Sequence, residues 1–121
     1  MGDVDATARM LNSYAIGLVG RDEFEKATKC YKVAMRILAD KKSDKVILLQ
    51  YNLGLAMKKK DNFDTAFTLL ASCCMADPNY LKAFQALTSL VAQMKSKLVP
   101  FDIELYERIK SAAQTEKKTG T

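Results

Sequence analysis

Proline occurs at only two positions of this chain, 78 and 100, and between those points apolar residues recur three and four positions apart instead of alternating. Proline fixes φ and removes a backbone donor, so its absence from the first 77 residues leaves that whole stretch free to be helical. Spacing of three and four lines one face of a helix, where alternation would mark strands. The pattern predicts six helices, near 5–19, 22–39, 44–60, 63–76, 80–97 and 102–115. Asp22 with Glu25 three residues on reads as a capping box for the second helix. Asn62 and Asp102 stand where they can cap the fourth and the last.

A length of 121 residues supports one hydrophobic core. We expect a single helical domain over 1–116 and a frayed polar tail over 117–121. No apolar run approaches the ~18 residues of a membrane span. Met1-Gly2-Asp3-Val4-Asp5-Ala6 shows neither a secretory signal nor the Ser/Thr that myristoylation places at the sixth position. The expectation is a protein without membrane attachment. Three cysteines, Cys30, Cys73 and Cys74, are an odd number without disulfide spacing, which points to a reducing cytoplasm. The Cys73-Cys74 pair lies in an apolar stretch and reads as core before it reads as redox or metal chemistry.

Histidine is absent. That removes His-dependent triads, general-base histidines and imidazole metal sites together. The chain also offers no nucleophile beside a base, no glycine-rich phosphate loop and no metal-ligand spacing, so neither catalysis nor a cofactor is expected. Asp102, Glu104 and Glu107 are close in sequence but read as solubilising carboxylates. The net charge of +5 favours acidic partners. Its cations are scattered over several helices with no aromatic stacking platform or recognition helix, a pattern that does not favour nucleic acid. Locally the contrast is sharper. Residues 41–60 hold Lys41, Lys42, Lys45, Lys58, Lys59 and Lys60 against Asp44 alone, whereas 61–80 hold Asp61, Asp64 and Asp77 with no base.

The chain also repeats itself. Tyr51-Asn52-Leu53-Gly54-Leu55-Ala56, then Asp61-Asn62-Phe63-Asp64-Thr65-Ala66, then Asp77-Pro78-Asn79 resembles the tetratricopeptide repeat (TPR) pattern across the 34 residues from Ile47 to Tyr80. Gly54 and Ala66 are small where two helices would cross, with Phe63 and Leu70 filling the space beside them. A copy from Ala8 to Lys41 sets Ala15 against Gly54, Phe24 against Phe63, Ala27 against Ala66 and Ala34 against Cys73. About five residues, Lys42 to Val46, intervene as a longer helix or loop. A third copy starts at Leu81-Lys82-Ala83-Phe84. Its second helix lacks the expected small residue but keeps the stripe Phe101, Leu105, Ile109 and Ala112, which suits a helix that caps the stack. The resemblance implies an all-α fold of antiparallel helix-pair repeats, two full repeats and a degenerate third pair.

It also implies a function. In TPR proteins the first helix of each pair lines a concave groove that receives a partner segment. Here those residues would be Arg9, Asn12 and Ile16, then Tyr51, Asn52, Leu55, Lys58 and Lys59, then Lys82, Gln85 and Ser89. Such a groove is basic with an aromatic-aliphatic floor, suited to a protein segment with acidic residues beside apolar anchors. The plainer reading of each lysine is a solvated helix end, and Tyr51 and Leu55 could equally be core. In the TPR subclass that clamps chaperone C-terminal carboxylates, Asn52 and Lys82 match the clamp. Asn12, Ile16 and Ala86 stand where it uses lysine, asparagine and a second base, so that ligand is not implied.

Two alternatives to this adaptor or scaffold remain. The fourth helix carries Thr65, Thr68, Leu69 and Ser72 with no charge between Asp64 and Asp77, a face through which a homodimer or structural assembly could form. Leu11-Asn12-Ser13-Tyr14-Ala15 and Phe24-Glu25-Lys26-Ala27, with the Tyr51 segment, also look like short bacterial TPR segments joined to receiver domains. That implies the output region of a bacterial signalling protein.

Overall fold

The computed structural model describes the backbone of residues 4–39 and 45–119, with side chains as far as residue 113. Six helices follow in order: α1 (Val4–Gly20), α2 (Phe24–Ala39), α3 (Lys45–Lys59), α4 (Phe63–Ala76), α5 (Leu81–Ser96) and α6 (Ile103–Thr119). No strand occurs among the described residues, and no helix there is long and apolar enough to cross a membrane. The inter-repeat segment expected around Lys42 and Asp44, like the N-terminal Met1-Gly2-Asp3, lies outside the described residues.

α1, α3 and α5 end on the same backbone device. The amides of Asp22 and Glu23 bond the carbonyls of Val19 and Leu18 at 3.0 and 2.8 Å. Asp61 and Asn62 bond Lys58 and Met57 at 3.0 and 2.8 Å, and Leu98 and Val99 bond Lys95 and Met94 at 3.1 and 2.8 Å. This is the Schellman closure, which satisfies orphan carbonyls by turning one residue left-handed. That residue is Asp22 (φ 60°), Asp61 (φ 65°) or Leu98 (φ 57°).

The closure overturns one expected cap. With Asp22 in the left-handed turn, Glu23 becomes the residue that opens α2, its carbonyl accepting from Ala27 at 3.1 Å. The predicted Asp22–Glu25 capping box does not form. Glu23 instead accepts from Arg21 at 3.0 Å and Lys26 at 3.3 Å, and these bonds, Arg21 first, hold its carboxyl below the usual range. Asn62 does occupy the start of α4, but its side chain makes no capping bond and its amide faces Met57 Sδ at 3.8 Å. Asp102 caps as expected, Oδ1 accepting from Leu105 N at 3.0 Å.

Three contacts fix how α1 and α3 lie. Lys45 meets Asp5 at 3.4 Å, Asn52 Nδ2 donates to Asn12 Oδ1 at 2.8 Å, and Lys59 Nζ donates to the carbonyl of Val19 at 3.1 Å. Each pair is forty residues apart, and successive pairs advance seven residues along both helices. A constant difference in number means parallel helices, where antiparallel ones would show a constant sum. Seven residues is close to two turns, so all three contacts share one face.

The core forms where the pairs meet. Ala15, Ala27 and Ala34 in the first pair are fully buried, as are Ala66 and Cys73 in the second, and Gly54 is buried with them. A Cβ on Gly54 would stand 2.9 Å from Leu70 Cγ and Cδ2, so only glycine fits without moving Leu70, itself fully buried. α6 departs from simple pairing with its predecessor and folds back onto α4. Phe101 stacks obliquely on Phe67 at 5.8 Å and meets Tyr106 edge-on at 6.3 Å, while the Tyr106 hydroxyl donates to Thr88 Oγ1 of α5 at 3.3 Å. Of its predicted stripe, Ile109 is buried, Phe101 and Leu105 half-buried, and Ala112 exposed. α6 continues to Thr119, past the helix end expected at 115, and neither glycine nor proline interrupts the chain before Gly120.

Candidate functional site

α3 lies between α1 and α5, and the residues expected to line a groove fall along these three helices in distinct settings. Asn12 and Asn52 are half-buried and satisfy each other across α1 and α3 through the 2.8 Å bond. Lys58 Nζ donates to Ser89 Oγ at 2.9 Å and ties α3 to α5. These two bonds bring four of the predicted residues together. Arg9, Lys82 and Gln85 are exposed, and their side chains form no hydrogen bond or ion pair among the described residues. Ile16 is 53% exposed, a large apolar side chain left in solvent.

Tyr51 and Leu55 are half-buried, between the floor and core roles that sequence left open. Tyr51 lies 5.3 Å from Tyr80, centroid to centroid, with the rings tilted by 41°. Burial, reinforced by Tyr51, holds the Tyr80 phenol above its usual range, so it presents a neutral hydroxyl.

Lys59 is placed differently from its neighbour. One residue is a rotation of about 100° on a helix, and that rotation carries Lys59 to the C-terminus of α1. There it meets the Val19 carbonyl at 3.1 Å and Asp22 Oδ1 at 3.4 Å. A cation at a helix C-terminus offsets the negative end of the helix dipole. Lys59 therefore braces α1 instead of standing open beside Arg9 and Lys82. The face that results is cationic at Arg9, Lys58 and Lys82, with an amide pair at its centre and Ile16 and Tyr51 as apolar contacts. It can hold carboxylates and apolar side chains.

A second feature was only half legible. α4 and α6, with Met94 of α5, enclose an open groove of about 670 Å³ whose walls include Phe67, Met75, Met94, Phe101 and Leu105. Thr68 and Ser72 line it and are exposed, so two of the four residues of the uncharged face read on α4 fall in its wall, while Thr65 is exposed outside it. Leu69 does not share that face. It is half-buried, its Cβ 3.4 Å from where a Gly54 Cβ would be. Nothing local in the sequence joins Met75 to Leu105, and only the packing of α6 onto α4 makes the groove.

The cysteines have settings of their own. Cys73 and Cys74 are buried, and burial pushes their thiols up to about 12 and about 11. The Cys73 thiol donates to the Ile47 carbonyl at 3.4 Å. A thiol that keeps its proton is a poor nucleophile. Among the described residues no cluster of three cysteine or acidic side chains could hold a metal. Compared with known protein families, with curated proteins and with solved structures, the chain has no match.

Proposed function

We propose that this protein is a binding module of the TPR type, an adaptor or scaffold that receives a segment of another protein on the face formed by α1, α3 and α5. The observation that carries the reading is the contrast on that face. Asn12 is bonded to Asn52 and Lys58 to Ser89, each pair between helices, while Arg9, Ile16, Lys82 and Gln85 around them are exposed. A braced frame with open side chains is what recognition needs, since little ordering is left to oppose binding. The parallel register of α1 with α3 and the tight Gly54–Leu70 crossing support the repeat reading of the sequence. The open cations select a segment with carboxylates beside apolar anchors.

The test is selection of peptides from a random display library on wild-type protein and on an Arg9→Glu/Lys82→Glu variant of unchanged helical signal. Enriched peptides should combine Asp or Glu with large apolar residues, and the variant should lose them by tenfold or more. Selection of peptides without acidic residues, or equal recovery on both proteins, would contradict the proposal.

A further inference from the structure

We infer that the partner segment anchors one large, uncharged apolar side chain in a cavity beside Tyr51, between carboxylates of its own that reach Arg9 on α1 and Lys82 on α5. The inference rests on the binding face of α1, α3 and α5 and names what that face selects. The cavity, of about 400 Å³, opens where the start of α3, the end of α4 and the entry to α5 meet, and is lined by Ile47, Leu48, Ala76, Asp77 and Tyr80. Leu48 is 44% exposed, a large apolar residue left open in its wall. Leu48, Tyr51, Leu55 and Lys58 follow one another at helical spacing and form one row along α3. Tyr51 packs its ring on Tyr80 at 5.3 Å. The cavity therefore continues the binding face at the end where α3 begins.

The helix registers set a cation on each side of it. The contacts Asp5–Lys45 and Asn12–Asn52 pair α1 with α3 at a constant difference, which puts Arg9 level with Leu49 and next to Leu48. Tyr51 with Tyr80, then Lys58 with Ser89, advance in the same direction, so α5 runs parallel to α3 and its first turn, with Lys82, lies just past Tyr80. Lys82 also precedes Ser89 by nearly two turns and shares the row of α5 that meets Lys58. The side chains of Arg9 and Lys82 are exposed and form no ion pair among the described residues, whereas Lys45 at the same end is neutralised by Asp5 at 3.4 Å. In the cavity the sign reverses. Asp77 is half-buried there, one carboxylate oxygen accepting from the Asn79 amide at 3.0 Å. A carboxylate in the cavity would meet Asp77, and a cation would approach Arg9 and Lys82 for the sake of a carboxylate already bonded to the turn. An apolar residue flanked by acidic ones avoids both repulsions, and its burial against Leu48 and Tyr80 supplies the anchor.

The experiment selects peptides from a random display library on the wild-type protein. The affinity of the most enriched peptide, with and without its apolar residue changed to Ala, is then measured for wild type and for Leu48→Ser. Leu48 is exposed, and circular dichroism checks that the variant is folded. Enriched peptides should hold Leu, Ile, Met or Phe at one fixed position with Asp or Glu on both sides. The Ala change should weaken binding by tenfold or more on wild type and by less than threefold on Leu48→Ser, where the cavity has already lost its wall. Acidic peptides with no fixed apolar position, or an Ala change that costs the two proteins equally, would overturn the inference and leave the binding face standing. Peptides without acidic residues, or none enriched, would overturn both.

Discussion

The Asn52 side-chain amide donates to the Asn12 carbonyl oxygen at 2.8 Å, the middle of three contacts that hold α1 parallel to α3. Each asparagine is half-buried, so removing one leaves the other short of a partner in a partly dry place. An unsatisfied group of that kind costs about 1–3 kcal/mol when fully buried, whereas replacing both partners with apolar groups can be nearly neutral. Asn12→Leu and Asn52→Leu should each destabilise by about 1 kcal/mol, and the double variant by less than their sum. Urea unfolding of the four proteins measures this.

Leu98 holds a left-handed backbone with φ 57° and is 90% exposed, so its side chain gains little packing in return for the strain. Leu98→Gly should raise stability by about 0.5–1 kcal/mol. Asp61→Gly should change it less, because aspartate visits this conformation more readily than leucine. Thermal unfolding of the two variants provides the comparison.

Lys59 braces the end of α1 through Val19 and Asp22, and both partners of the ion pair are substantially exposed. Solvent screening keeps such contacts small. Lys59→Met should lower stability by at most about 1 kcal/mol and leave affinity for a selected peptide within twofold. Lys82→Glu should do the reverse, with stability retained and affinity lost. Chemical denaturation and fluorescence anisotropy on the same samples separate the two lysines.

The Cys73 and Cys74 thiols, pushed up to about 12 and about 11 by burial, give stability a pH dependence of known sign. Below about pH 8.5, where an unfolded thiol is protonated, both states hold the proton and the contribution is complete. Above it the unfolded chain releases protons that the folded chain keeps. Stability should then fall by up to about 1.4 kcal/mol per pH unit for each thiol until the folded values are reached. Unfolding free energies at pH 8 and pH 10 should differ in this sense, and a Cys73→Ala/Cys74→Ala variant should show a flatter slope.

How far such features are legible in sequence depends on what sets them. The helices follow from local apolar spacing, so five of the six begin and end within two residues of expectation, and α6 runs on because nothing breaks it. Asp22 and Asp102 look alike as caps, yet only Asp102 caps. The three-residue link Arg21-Asp22-Glu23 sets Asp22 in the left-handed closure of α1, and that constraint comes from the preceding helix. Lys58 and Lys59 are neighbours with the same chemistry, and a rotation about the helix axis sends one to Ser89 and the other to Val19. The α4–α6 groove escaped because it depends on where α6 lands, which neither spacing nor charge encodes.

The most direct test of the partner-binding face is an NMR titration of the isotopically labelled protein with a peptide selected on it. Amide shifts should concentrate at Arg9, Asn12, Tyr51, Leu55, Lys82 and Gln85 on α1, α3 and α5, and affinity should weaken as salt rises. Shifts confined to α2 or to the α4–α6 groove, or an affinity indifferent to salt, would contradict the account.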